Sequence, residues 1–327
     1  MLQDTFSAKN TSKAKVRLFL VIFAMLVPFF SAQGACPEKI VLEEVLTIGS
    51  FDDDYLFQWV GVVADSEGNI YVTDAMDYSL KKFDAAGSLL AKTGRRGQGP
   101  GEFTAPRLLD SSELFLFVTE QYQPVIKVFD KKLQYQFHIP LEGPAGDIKA
   151  LGNDLVAVVV LSAKSESSLH FYDQKGELVK KVHFSERPSR LMMDMVSFDL
   201  DNHGNLYLAY NFADRIVKFD DSGKKVWSKN LLGIKQVKRE KISSHMVPTE
   251  IVYKDVALDQ SGNLYVLGGK FSENRSRDVY VLSPDGELVS TLTLPDTSHC
   301  IYIDGENFLY SRANDGITLK KYRMVAH

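Results

Sequence analysis

Residues 198–227 read FDLDNHGNLYLAYNFADRIVKFDDSGKKVW, and the order of residue types in this stretch decides the fold. An Asp and a Gly204-Asn205 turn open an alternating strand through Tyr207; a second strand ends at Phe219-Asp220, and Gly223 turns the chain into a third. The same grammar stands at Asp65, Gly68-Asn69, Tyr71, Phe83-Asp84 and Gly87. It stands again at Asp259, Gly262-Asn263, Tyr265, Leu282-Ser283 and Gly286. Phe129-Asp130, Tyr172-Asp173 with Gly176, and Gly305, Asn307, Tyr310 and Tyr322 mark weaker copies. A fixed period of this kind belongs to a repeat protein, in which one unit cannot bury its apolar face alone.

The second-strand ends at 83, 129, 172, 219, 282 and 322 are separated by 46, 43, 47, 63 and 40 residues. Roughly 40 to 50 residues is the length of a four-stranded propeller blade, so one interval of 63 contains an insertion. Its excess lies in 232–254 and 270–278. Units are expected at about 62–94, 108–141, 148–184, 197–231, 255–294 and 300–324, each a set of short strands rich in Val, Ile, Leu, Phe and Tyr between Gly, Asp, Asn or Ser turns. The last unit has room for three strands only, and the unassigned strand within 39–49 (KIVLEEVLTIG) supplies a fourth. A ring must close or leave a raw strand edge. The expected fold is therefore all-β: a six-bladed β-propeller, residues 36–327, with its last blade closed by the N-terminal strand.

Asp-x-x-Gly-Asn-Leu-Tyr-Val followed by a Phe-Asp-x-x-Gly turn resembles the NHL-type repeat. Residues 94–103 (GRRGQGPGEF), then Pro106, resemble the linker between such blades, and the whole resembles bacterial exported six-bladed propellers. The resemblance implies fold more than function, since this architecture hosts binding, lyase, esterase and structural roles. Lactonases and amidating lyases of similar fold place a metal in the central channel. None of their motifs is matched here, so no residue carries over. The columns occupied by Gly68, Gly204 and Gly262 and by Tyr71, Tyr207 and Tyr265 read as packing, because every blade needs them and a single active site does not.

The first segment is an address. Lys13, Lys15 and Arg17 precede an apolar run from Leu18 to Phe30, followed by small residues at Ser31, Ala32, Gly34 and Ala35, the layout of a signal peptide over 1–35. Thirteen apolar residues fall short of the roughly 20 that a spanning helix needs. Lipidation of Cys36 competes as a processing route, although Gln33 stands where a lipobox wants an aliphatic residue. The expected place is exported: periplasmic, secreted or lipid-anchored. Net charge is −4, and the +3 of the first segment leaves −7 on the rest, which argues against nucleic acid. Cys36 and Cys300 are the only cysteines, so a disulfide is the default outside the cytoplasm. Topology opposes it, because the two lie at opposite ends of a blade, roughly 17 to 20 Å apart, against a bridging limit of ~7 Å.

Catalytic signatures are absent. Seven histidines are scattered without metal-ligand spacing, and there is no G-x-S-x-G elbow, phosphate loop or EF-hand. No cofactor is expected; calcium or zinc enters only if a second reading, a hydrolase or lyase with a channel-bound divalent metal, holds. The first reading is a monomeric, non-catalytic binding or scaffold propeller. Its loops gather on one face, where residues 50–55, 94–103, 232–254 and 268–278 stand out. Lys238, Arg239, Arg275 and Arg277, with Arg95 and Arg96, form the candidate cationic site for a protein or an acidic glycan. Asp52, Asp53 and Asp54 read as a solvated acidic run.

Overall fold

The computed structural model describes residues 40–50, 52, 56, 58–152, 155–162, 167–184, 195–242, 245–269 and 277–326. Strand β1 is Ile40–Ile48. Blade 1 comprises β2 (Trp59–Ala64), β3 (Ile70–Asp74), β4 (Ser79–Phe83) and β5 (Leu89–Thr93). Blade 2 comprises β6 (Pro106–Ser111), β7 (Phe115–Glu120), β8 (Val125–Asp130) and β9 (Tyr135–Pro140). Blade 3 comprises β10 (Ala145–Leu151), β11 (Leu155–Val160), β12 (Ser168–Asp173) and β13 (Leu178–His183). Blade 4 comprises β14 (Val196–Leu200), β15 (Leu206–Tyr210), β16 (Ile216–Phe219) and β17 (Lys225–Lys229). A separate hairpin follows, β18 (Arg239–Ile242) with β19 (His245–Pro248). Blade 5 comprises β20 (Tyr253–Leu258), β21 (Leu264–Gly268), β22 (Asp278–Leu282) and β23 (Leu288–Thr293). Blade 6 takes β24 (Ile301–Ile303), β25 (Phe308–Arg312) and β26 (Leu319–Ala326), and its outer strand is β1, antiparallel to β26 from Ile40↔Ala326 to Ile48↔Leu319. This is a six-bladed β-propeller closed by its N-terminal strand.

The repeated turn residues have a specific task. Asp65 accepts hydrogen bonds from the backbone N–H of Glu67 and Asn69 through Oδ1, and from Asn69 Nδ2 and the Tyr71 hydroxyl through Oδ2. Asp201 and Asp259 repeat the pattern with Asn205 and Tyr207, and with Asn263 and Tyr265. One carboxylate thus closes the turn and anchors the tyrosine that packs between blades. The asparagine stabilises the turn through its side chain, while the positive φ falls on the preceding glycine: 81° at Gly68 and 79° at Gly204. In blade 6 the sequence pattern slips by one. Asn307 takes the glycine position with φ 62°, tolerable for Asn, and Asp304 still holds the Tyr310 hydroxyl at 2.8 Å.

The core is divided. Six apolar clusters lie between successive blades, one for each junction including blade 6 with blade 1, where Ile48, Trp59, Val72, Tyr310 and Leu319 meet. Tyr71 packs with Leu109, Val118 and Phe129 of blade 2, and Tyr207 with Val256 and Val266 of blade 5. Blade 6 is also tied to blade 1 by Arg312 Nη1 donating to Trp59 O (2.8 Å) and by the Tyr302 hydroxyl donating to Ala64 O (3.3 Å).

The glycine-rich linker 94–105 is a rigid step between blades 1 and 2. Phe103 is fully buried and stacks on Phe129 at 5.6 Å. Gly94 has φ 101°, and a Cβ there would lie 2.6 Å from both the Phe103 ring and Tyr78 O. Gly94→Ala combines an unfavourable φ with an overpacked contact, so we expect a loss of about 2–4 kcal/mol in urea unfolding. An unchanged midpoint would show that the linker is not fixed in this way.

Candidate functional site

The innermost strands β2, β6, β10, β14, β20 and β24 line the channel, and an acidic residue recurs on four of them: Asp110, Asp147, Asp199 and Asp255. Each carboxylate reaches the backbone of the next blade. Asp110 accepts from Ala150 N at 2.6 Å, Asp147 from Phe198 N at 2.8 Å, Asp199 from Leu258 N at 2.9 Å, and Asp255 from Ile301 N at 2.9 Å. The last three also accept from the N–H of the residue that follows them, Ile148, Leu200 and Val256. Blades 2 to 6 are therefore stitched, inner strand to inner strand, by side chains that a reader of the sequence would take for turn residues.

Lys149 of β10 stands among them. Its ammonium makes no hydrogen bond among the described residues, and its nearest carboxylate oxygen is Asp199 Oδ2 at 3.8 Å. Burial disfavours the charge on Lys149, but Asp199, Asp110, Asp147 and Asp255 together outweigh it and hold its pKa above the usual lysine value. Burial pushes the Asp110 and Asp147 carboxyls up to about 6, with Lys149 opposing. Burial and the neighbouring Asp147 push Asp255 up to about 7. These groups keep some open space on the channel side, yet protein surrounds that space, so both partial accessibility and strong desolvation hold. Cys300 faces the same channel as a free thiol, pushed up to about 12 by burial and Asp255. Cys36 lies outside the described residues.

The channel widens toward the face formed by the Asp-x-x-Gly turns. A cavity of about 410 Å³ opens there, with Asp110, Lys149, Asp199 and Tyr302 at its floor and the turns of blades 4 and 5 at its rim. Among the described residues no group of three or more His, Cys, Asp or Glu is arranged to hold a metal ion. The channel carboxylates do not fit one, because they face backbone N–H groups and an ammonium occupies the space between them.

On the opposite, loop face lie 94–103 and the described residues of 232–254. Arg95 is 81% exposed and paired with Glu102 at 2.7 Å, and Arg96 lies over the Tyr78 ring at 5.6 Å. Lys235, Lys238 and Lys241 are exposed around the β18–β19 hairpin, with Lys238 3.5 Å from Glu240. Arg239 is half-buried, and its Nε has no hydrogen-bond partner among the described residues. Arg277 is a structural pin, its Nε donating to Leu294 O at 2.7 Å. Arg275, like Asp53 and Asp54, lies outside the described residues. The two cationic groups do not converge: 94–105 joins blades 1 and 2, whereas 230–252 joins blades 4 and 5, on the far side of a six-membered ring. Sequence reading missed the channel ring altogether. The available signal was an Asp inside four of the six inner strands, with Lys149 two residues after Asp147 in one of them.

Residues 51–110 match a family described as DUF5128, 6-bladed beta-propeller. No curated protein matches the chain. Among solved structures, the chain is similar to a member of the duf4221 family from Bacteroides vulgatus (TM-score 0.63, 12% identity, 89% of this chain and 100% of that one). It is also similar to a streptogramin B lyase (TM-score 0.58, 12% identity, 88% and 98%) and to the RRP9 WD40 repeats (TM-score 0.55, 9% identity, 86% and 100%). Identities this low speak for the shared fold alone.

Proposed function

We propose that this protein is a non-catalytic binding propeller, working outside the cytoplasm, that holds an acidic protein or glycan on its loop face. The observation that carries this reading is the β18–β19 hairpin, an element outside the six blades that projects cationic side chains from a fixed base. Asp214 accepts from the backbone N–H of Leu231, Leu232 and Ile234, and from the Tyr253 hydroxyl. Val237 and Val252 bury the two ends of the insertion in the core between blades 4 and 5. Isolated two-stranded hairpins are marginal in water, so this support is what lets the arm keep a shape. The N-terminal apolar run favours export. The lyases among the structural neighbours favour a second reading, a channel lyase, but the channel acids are engaged with backbone and ammonium rather than grouped as metal ligands.

The test uses Lys235→Ser/Lys238→Ser/Lys241→Ser and leaves Arg277 untouched, since its loss would act on folding. Binding to immobilised polygalacturonate and to a neutral dextran is measured at low and at high salt. Three exposed charges at about 0.5 kcal/mol each correspond to roughly tenfold weaker binding to the acidic polymer at low salt. The difference should vanish near 1 M salt, where the screening length is about 3 Å. Equal retention of wild type and variant on polygalacturonate at low salt, or wild-type retention on dextran equal to that on polygalacturonate, overturns the reading.

A further inference from the structure

The cavity at the turn-face mouth of the channel is a second candidate binding site, on the opposite side of the molecule from the cationic arm. Its floor holds hydrogen-bonding capacity that the protein leaves unspent. The Lys149 ammonium has three N–H donors and makes no hydrogen bond among the described residues. The carboxylates of Asp110 and Asp199 accept from backbone N–H groups, and each carboxylate has about four acceptor sites, so further ones remain. Polar groups shielded this far from bulk solvent are ordinarily satisfied by water or by a ligand.

The spacing selects the chemistry. Lys149 Nζ and Asp199 Oδ2 are 3.8 Å apart, too far for a direct hydrogen bond yet close enough for one hydroxyl oxygen to lie about 2.8 Å from both. A hydroxyl can accept from the ammonium and donate to the carboxylate at once. A ligand carboxylate or phosphate placed on Lys149 would face Asp199 and Asp110, and a ligand cation placed on Asp199 would face Lys149. Rim positions continue the same character: Asn202 and His203 in the blade 4 turn, and Gln260 and Ser261 in the blade 5 turn, are exposed polar side chains at the two variable positions of the repeat. A cavity of about 410 Å³ falls within the roughly 300–1,000 Å³ usual for small-molecule sites.

We propose that this cavity binds a neutral, polyhydroxylated ligand, a sugar or the neutral end of a glycan, with one hydroxyl bridging Lys149 and Asp199. The loop-face reading is not needed for it, and either site can fail without the other.

The experiment is calorimetric titration of the purified protein with a panel of neutral hexoses and their disaccharides, together with the corresponding uronic acids and a set of free amino acids. Saturable binding of at least one neutral sugar is expected, with the matching uronic acid at least tenfold weaker. Lys149→Met should weaken that binding by tenfold or more, since a hydrogen bond to a charged group is lost. Should Lys149→Met fold poorly, Lys149→Arg keeps the charge that the aspartates require while filling the space of the bridging hydroxyl, and the same loss is expected. No saturable binding across the neutral panel means that water alone occupies the cavity and overturns the proposal. Preference for uronic acids or for zwitterionic amino acids, or undiminished sugar binding in the arginine variant, overturns it equally.

Discussion

Deleting Ile40–Ile48 will abolish cooperative unfolding of the propeller and leave a protein that aggregates. β1 is the outer strand of blade 6, and its register runs the whole length of β26 with one bulge between Glu44 and Leu46. Ile48 is 2% exposed in the cluster that joins blade 6 to blade 1, while Ile40 and Leu42 pack against the blade 5–6 cluster. The deletion removes about 1.5–3 kcal/mol for buried Ile48, a part of that for each of the half-buried Ile40, Val41, Leu42 and Leu46, and exposes eight residues of β26 as an unpaired edge. Against a total stability of about 5–15 kcal/mol that loss is decisive. Far-UV circular dichroism with urea melting reads the result, and sedimentation reads the aggregation. A truncated protein that melts in one sharp transition near the wild-type midpoint would show that blade 6 holds without its clasp.

The second large effect lies in the channel. Lys149→Met leaves Asp110, Asp147, Asp199 and Asp255 facing one another without their shared cation, and removal of one partner from a buried charge cluster typically costs about 3–5 kcal/mol. That cost should be largest near pH 8 and smaller at pH 5, where the carboxyls take up protons. In the wild-type protein the sign is fixed by the raised values. Asp110 and Asp147 at about 6 and Asp255 at about 7 bind protons more tightly folded than unfolded, where the ordinary value is 3.8. Their contribution is therefore full below the unfolded value and drains away as pH rises through about 6 to 7. His170, held below its usual value by burial, works in the opposite direction in the same window. Comparison with Asp255→Asn isolates the channel: the variant cannot titrate at that position, so its stability deficit relative to wild type should shrink from pH 5 to pH 8. A deficit that grows over that range would mean that Asp255 is held in its charged form by the fold.

The blade repeat was legible because its causes are local. In blades 1, 4 and 5 an Asp closes its own turn, a glycine supplies the positive φ, and a tyrosine six residues beyond the Asp returns its hydroxyl to the same carboxylate. All three act within a few residues and recur, so spacing alone reveals them. The strand at 40–48 could be assigned to the far end of the chain for a related reason: a three-stranded last unit and an unpaired first strand solve one another's edge problem.

The channel depends on closure, and closure is a property of no single unit. Asp110, Asp147, Asp199 and Asp255 act on backbone N–H groups 40 to 59 residues further along the chain, and Lys149 gains its charge neighbours only when inner strands from four blades meet. The same holds for the cationic residues. Arg95 and Arg96 share a face with Lys238 and Arg239 because both segments link an outer strand to the next inner one, which the repeat alone determines. They lie on opposite sides because a ring of six converts a separation of three blades into half a turn, which only the tertiary structure decides.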